Sequence, residues 1–299
     1  MNPGFFYAFA AFGLWGLFPL YFRLIATVPA VEVVLQRSLW SLLFIALILA
    51  WQKRWSWLAP FLAQPRRLLR FGLSALMLIV NTLAYVHAMQ THQVVEASLG
   101  YYINPLVNVL LGVLVLRERL GAVKWLAVGL AALGVLWLTW QLGRLPWIAL
   151  ALAGSFGLYG LVRKTAPLGA LEGLALETML LAPLVLPLLA WWTVTHQGVA
   201  LQGDIGLLGL MALLGPMTTI PLLCFTAAAR RLPLATLGLV QYMSPTIQLL
   251  LGVWVFGEAF GGDRLLGFAL IWSALVLVSL DALRQSFKGA AAAVVAPPR

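Results

Sequence analysis

The feature that most constrains this chain is a repeat: one apolar design is written twice, the second copy 140 residues after the first. Tyr102-Ile103-Asn104-Pro105 aligns with Tyr242-Met243-Ser244-Pro245, and the match continues without a gap. Leu110-Leu111-Gly112-Val113 falls on Leu250-Leu251-Gly252-Val253, then Val115 on Val255, Glu118 on Glu258, Gly121 on Gly261 and Leu126 on Leu266. That makes 10 identities over the 25 positions 102–126. The same shift carries Arg23 onto Arg163, Glu32 onto Glu172 and Arg37 onto Glu177. Repeats of this size in an apolar chain point to a secondary transporter, in which two bundles rock around a site between them.

Composition decides the solvent. The chain is 63% hydrophobic with a mean hydropathy of +0.97, and 9% of its residues are charged, against about 25% in a soluble domain. So much apolar surface must face lipid. Ten apolar stretches lie between polar breaks, at about 4–22, 31–51, 70–90, 94–116, 121–140, 146–164, 172–193, 206–227, 234–256 and 263–283. Each is near the roughly 20 residues needed to cross a bilayer. The first does not read as a cleavable signal, because Met1-Asn2-Pro3-Gly4 carries no Lys or Arg. Residues 289–299 read as a disordered cytoplasmic tail. The single cysteine, Cys224, excludes an intramolecular disulfide and reads as a packing residue.

Charge placement gives the orientation. With ten spans and the N-terminus inside, 15 of the 19 Lys plus Arg fall in inside loops or the tail, and Arg23, Arg37, Arg144 and Arg264 do not. This is the positive-inside asymmetry, so both termini are expected in the cytoplasm of a bacterial cell, with the chain as a multi-pass protein of the inner membrane. The net charge of +10 is then a topology signal rather than a sign of nucleic-acid binding. Each copy holds an odd number of spans, so the second enters the membrane inverted. The expected fold is all-α and integral to the membrane: ten transmembrane helices as two inverted five-helix repeats, residues 1–143 and 144–288, around a central cavity.

Several strings resemble the RarD branch of the EamA transporters, within the drug/metabolite transporter superfamily. They include Trp15-Gly16 with Pro19 and Tyr21-Phe22, Gln36-Arg37 with Trp40-Ser41, and the long run from Glu96-Ala97-Ser98-Leu99-Gly100-Tyr101-Tyr102 to Asn108. Tyr159-Gly160 to Arg163-Lys164, Glu177-Thr178-Met179, Thr218-Thr219 with Pro221, and Gln241-Tyr242 with Pro245 continue it. The resemblance spans about residues 4–285 and implies ten helices in two inverted halves, a central cavity, and a group labelled as chloramphenicol-related permeases. That label describes a phenotype rather than a substrate. Gln36 departs from the branch, where a histidine is expected.

The polar residues in the apolar stretches are the site candidates. Arg37 lies about six residues into the second stretch, roughly 9 Å along a helix. A charge there costs about 2.5–3.5 kcal/mol on insertion scales, so it should face the bundle interior. It reads as an ion pair with Glu96 or as an anchor for an anionic or polar solute. Glu177 mirrors it in the second copy and reads as a partner of Arg163 or Lys164, or as a proton site, since burial disfavours a charged carboxyl. The matched motifs set Tyr102, Asn104, Asn108, Gln241, Tyr242, Ser244 and Gln248 near mid-membrane, where Pro105 and Pro245 should kink both helices. Tyrosine offers a flat apolar face and one hydroxyl, suited to aromatic solutes. Trp15 and Asn81 are further cavity candidates. Gly215-Pro216 should interrupt the eighth stretch, and Glu118 and Glu258 read as helix caps.

Nucleotide-binding and metalloprotease strings are absent, and His87, His92 and His196 have no ligand spacing. No enzyme activity, cofactor or metal is therefore expected. The functional expectation is a permease exporting a small polar or aromatic metabolite or drug by alternating access, as monomer or homodimer, with a proton as a possible coupled partner. The alternative is a membrane component without carrier activity, such as a flippase-like accessory subunit or an intramembrane enzyme.

Overall fold

In a computed structural model of the chain, residues 3–91, 93–143, 145–196, 198–257, 265–278 and 280–281 are described. The expectations for the tail at 289–299, for His92, Arg144, Glu258 and Arg264, and for the side chain of Glu96 lie outside the described residues. Among the described residues every regular element is a helix. They are α1 (Pro3–Gly16), α2 (Phe18–Leu24), α3 (Ala30–Trp51), α4 (Leu58–Leu62), α5 (Pro65–Gln90), α6 (Val94–Leu114) and α7 (Ala122–Leu142). Then come α8 (Trp147–Thr165), α9 (Ala170–Thr195), α10 (Val199–Gln202), α11 (Ile205–Ala229), α12 (Leu234–Gln241) and α13 (Met243–Trp254), and α14 (Leu265–Val278).

Among the described residues, seven helical segments are long and apolar enough to cross a membrane, so the chain is a multi-pass membrane protein. The surface agrees. Trp51, Trp140 and Trp254, at or near the ends of α3, α7 and α13, are 84%, 84% and 78% exposed. Such rings belong at the boundary of hydrocarbon and headgroups.

Local chemistry sets the boundaries. Proline opens α5 and stands just before α3, α8 and α12, where its missing N–H costs nothing. Gly143, at φ +70°, closes α7 in the left-handed conformation that glycine adopts without a Cβ clash. Asp204 caps α11 by accepting from the Leu207 N–H at 2.9 Å.

The matched prolines act unequally. Pro245 cannot donate to the turn before it, and the helix breaks at Tyr242, between α12 and α13. Pro105 stays inside an unbroken α6. The expected interruption of the eighth stretch is corrected: α11 runs from Ile205 to Ala229 through Pro216 and Pro221.

Packing places α6 against α8 and α12, α3 against α9 and α11, α5 against α8 and α9, and α1 against α11, α12 and α13. Helices α7 and α14 share one core cluster, in which Ala127, Ala131 and Val135 meet Phe268, Ile271 and Ala274. The crossing of α6 and α12 is tight: a Cβ on Gly238 would lie 2.6 Å from the Pro105 carbonyl oxygen. Small residues at such crossings let backbones approach when lipid supplies no hydrophobic drive between helices.

Candidate functional site

The helices enclose a cavity of about 630 Å³, within the 300–1,000 Å³ usual for small-molecule sites. It extends from the turn between α2 and α3 (residues 25–30) to Phe12, Thr218, Leu222 and Gln241, part-way along their helices. Its wall follows helical periodicity. Ala30, Val33, Val34 and Arg37 come from one face of α3, and Leu78, Asn81, Thr82 and Tyr85 from one face of α5. Gly100, Tyr101 and Asn104 come from α6, and Gln241, Ser244, Pro245 and Gln248 from α12 and α13. Each set steps by three or four residues, the spacing that puts side chains on one helix face.

Trp15, Arg37, Asn81, Asn104 and Gln241, five of the residues singled out by sequence, line this cavity. Tyr102 and Tyr242 lie behind its wall instead, each one position off the lining face. Tyr102 packs edge-on against Phe268 with ring centroids 5.2 Å apart, and its hydroxyl donates to the Pro245 carbonyl at 3.4 Å. Tyr242 is fully buried in the same cluster, its hydroxyl without a hydrogen bond. Ser244 and Gln248, set by the matched motifs at the same depth, line the cavity as well, and the residues that sequence reasoning passed over are Tyr85, Thr82, Tyr101 and Phe156. Stepping back three from Asn104 points to Tyr101.

Amides of the wall, with Asn108 behind it, join the helices. Asn104 donates to the Ala153 carbonyl on α8 at 3.0 Å, and Asn108 donates both to Asn104 Oδ1 at 3.1 Å and to Gln241 Oε1 at 2.8 Å. Asn81 donates to the Leu152 carbonyl at 3.0 Å and to Ser155 at 3.1 Å, while Gln248 donates to the Trp15 carbonyl at 3.0 Å. Amide bonds between helices of this kind hold them in register, while Asn108 Oδ1 stays buried without a partner.

Arg37 reaches the cavity from α3 and donates to Thr82 Oγ1 at 3.4 Å. No carboxylate among the described side chains pairs with it. Glu32, five residues before it on α3, accepts from the Val199 N–H at 2.7 Å and so caps α10.

Glu177 does not reach this cavity. It lies fully buried below the floor, 3.6 Å from Arg163 Nη1. Ser74 donates to one of its oxygens and Tyr159 to the other, the latter at 3.4 Å. Arg163 also donates to the carbonyls of Gly169 at 3.2 Å and Ala170 at 3.0 Å, and lies 5.6 Å over the Phe71 ring. A stack of rings bridges floor and ion pair: Phe12 and Phe156 on the wall both contact Phe225, which stacks on Tyr159.

Nearby, Glu118 accepts from the N–H groups of Leu234 at 2.7 Å and Ala235 at 2.9 Å, with Lys164 Nζ 3.7 Å away. It therefore caps α12, far along the chain, rather than the helix that follows it. Polar anchors thus close the end of the bundle that the cavity does not reach. Among the described residues no cluster of His, Cys, Asp and Glu is arranged to hold a metal.

Comparison with known proteins gives close relatives along the whole chain. An uncharacterized transporter of Pseudomonas aeruginosa is 48% identical over 289 residues, covering 95% of this chain and 96% of its own length. The protein RarD of Streptomyces exfoliatus is 44% identical over 297 residues, covering 99% and 94%. That of Escherichia coli K12 is 44% identical over 279 residues, covering 92% and 93%. A solved crystal structure at 20% identity superposes with a TM-score of 0.68 over 95% of this chain and 99% of that one, a likeness of fold alone. Residues 2–140 and 145–280 each match the EamA-like transporter family, and with relatives of this kind over its full length the chain belongs to that family.

Proposed function

We infer that this protein is a secondary-active carrier of ten spans, built as two inverted five-helix halves that move a small polar or aromatic solute by alternating access. The observation that carries the reading is the cavity itself. It is walled by helices of both halves, reaches the turn at residues 25–30, and stops at an aromatic floor backed by one buried ion pair and one half-buried one. A one-ended cavity between two bundles is one of the two states that alternating access requires.

Three further facts support the halves. The two family matches fall on residues 2–140 and 145–280. The residues matched at a spacing of 140 extend over the same ranges. Taking α1–α2, α3, α5, α6 and α7 as the first five spans and α8, α9, α11, α12–α13 and α14 as the second, exchanging the halves largely preserves the packing. The α6–α8 contact becomes α1 against α12 and α13, α3–α11 becomes α5–α9, and α5–α8 becomes α1–α11. The contacts α3–α9 and α6–α12 map onto themselves.

Under the positive-inside assignment the cavity faces outward and both termini are cytoplasmic. The Arg163–Glu177 pair then belongs to the inner gate, with Glu177 the carboxyl placed to take a proton when that gate opens.

The test is cysteine accessibility in a Cys224→Ser background, with impermeant reagents applied from either face. Position 60 should label from the cytoplasm and position 200 from outside. Cysteine at Thr82 or Ser244 should label from outside at rest, and from inside once the protein is driven through its cycle. Cytoplasmic labelling of position 200 would sink the inverted topology, and a cavity reached from only one side under every condition would sink the carrier.

A further inference from the structure

We propose that the cavity recognises a small organic anion, a carboxylate on an aromatic body, with Arg37 as its charge partner; this rests on the carrier reading above. Among the described residues that line the cavity, Arg37 is the one charged side chain, and no acid joins it. Its guanidinium stays protonated at any physiological pH, so the site offers fixed positive charge in a setting where charge interactions are strengthened by low dielectric. A cationic solute would meet repulsion with no carboxylate to offset it.

The polar groups that line the cavity with Arg37 include donors with a proton to spare. Thr82 accepts from Arg37, which leaves its hydroxyl proton to donate. Gln241 uses its carbonyl oxygen on Asn108, which leaves its amide nitrogen as the free end. Tyr101 is 42% exposed, and its ring lines the wall with that of Tyr85. By contrast, Asn81 and Asn104 spend amide nitrogens on carbonyls of α8, so they serve the frame of the site. A guanidinium in a cavity that also carries hydroxyl and amide donors can hold carboxylate oxygens, which only accept.

The rest of the wall selects the body of the solute. Trp15 and Phe156 meet edge to face with ring centroids 5.7 Å apart, and Phe22 lines the same space. Aromatic rings pack on such walls in offset or edge geometry. Arg37 sits between the turn at residues 25–30 and the aromatic floor, so a bound solute would set its carboxylate on α3 and its ring against α1 and α8.

The experiment uses one ring with three charges: 1-naphthylacetate, 1-naphthylacetamide and 1-naphthylmethylamine, titrated calorimetrically into the purified full chain in detergent. The anion should bind tightest. Arg37→Gln should weaken it about 10- to 150-fold, the range for a lost hydrogen bond to a charged group, and leave the neutral amide nearly unchanged. Tyr101→Phe, which removes one hydroxyl and keeps the fold, should weaken the anion alone by a smaller factor. Glu96→Gln should leave anion affinity within a few-fold; a large gain would mean that Glu96 neutralises Arg37, and would overturn the proposal. Tightest binding by the amine or the amide, an anion preference that survives Arg37→Gln, or no binding of the anion would each overturn it too. Labelling of Thr82→Cys from both faces would still uphold the carrier, so the two ideas fail separately.

Discussion

Removing Arg163 alone should unfold much of what holds the closed end of the bundle together. Arg163 and Glu177 are both fully buried and 3.6 Å apart, a separation at which Coulomb attraction is about 5 kcal/mol at an effective dielectric of ~20. Arg163→Ala removes that attraction and the bonds to the Gly169 and Ala170 carbonyls. It leaves Glu177 with only Ser74 and Tyr159. An uncompensated buried charge costs about 3–5 kcal/mol, and this is the expected loss. Arg163 Nε and Nη1 make no hydrogen bond, so the pair is not ideally satisfied. The double variant Arg163→Met, Glu177→Met should therefore recover most of the loss and come within about 1–2 kcal/mol of the wild type. Equilibrium unfolding in mixed detergent micelles, followed by tryptophan fluorescence, reads all three proteins on one scale. An Arg163→Ala variant within about 1 kcal/mol of the wild type, or a double variant no better than the single, would falsify the argument.

Other outcomes follow from the same geometry. Gly238→Ala should lower stability by about 1–3 kcal/mol, because its Cβ meets the Pro105 carbonyl oxygen at 2.6 Å and the Asn108 Cβ at 2.9 Å; unchanged unfolding would show that α6 and α12 can part freely. Glu118→Gln should cost about 1 kcal/mol as a weakened cap, and reduced membrane yield without any change in probe binding is the pattern to look for. Tyr102→Phe should leave affinity for the anionic probe unchanged while Tyr101→Phe lowers it, since only Tyr101 reaches the cavity; equal effects would move the site wall. Gly173→Ala should destabilise through Arg163, whose guanidinium occupies the space of the added Cβ. It should do so far less in the double methionine background, where the long cation is gone.

Much of the architecture is legible in the chain. Apolar stretches of bilayer length make helix the only open structure that satisfies its backbone in lipid, and seven such segments are present among the described residues. Composition, the repeat at a spacing of 140 and the run from Glu96 to Asn108 lead to the family without any coordinates. Arg37 was also legible as a residue that must point inward, because a lone charge toward lipid is too costly. The partnership of Arg163 with Glu177 follows the same logic. It was read as one of two possibilities, and contact across α8 and α9 selected it.

Tertiary structure decided which polar groups share a space. The motif Tyr101-Tyr102 offers two adjacent hydroxyls, and sequence depth cannot separate them. A rotation of about 100° between neighbours on a helix sends Tyr101 to the cavity and Tyr102 to Phe268. The matched prolines are equal in sequence, yet α6 stays whole while α12 ends at Gln241. Glu118 reads locally as a cap for the following helix, but it caps α12, a contact more than a hundred residues away. Glu177 mirrors Arg37 in the repeat, but the ring stack through Phe225 and Tyr159 sets it below the floor. Sequence therefore determined that these helices exist, how deep each residue lies and that charge must turn inward. Those properties depend on the transfer of each segment from water to lipid. Which inward faces meet depends on how helices pack against one another, and that is a property of the assembled bundle.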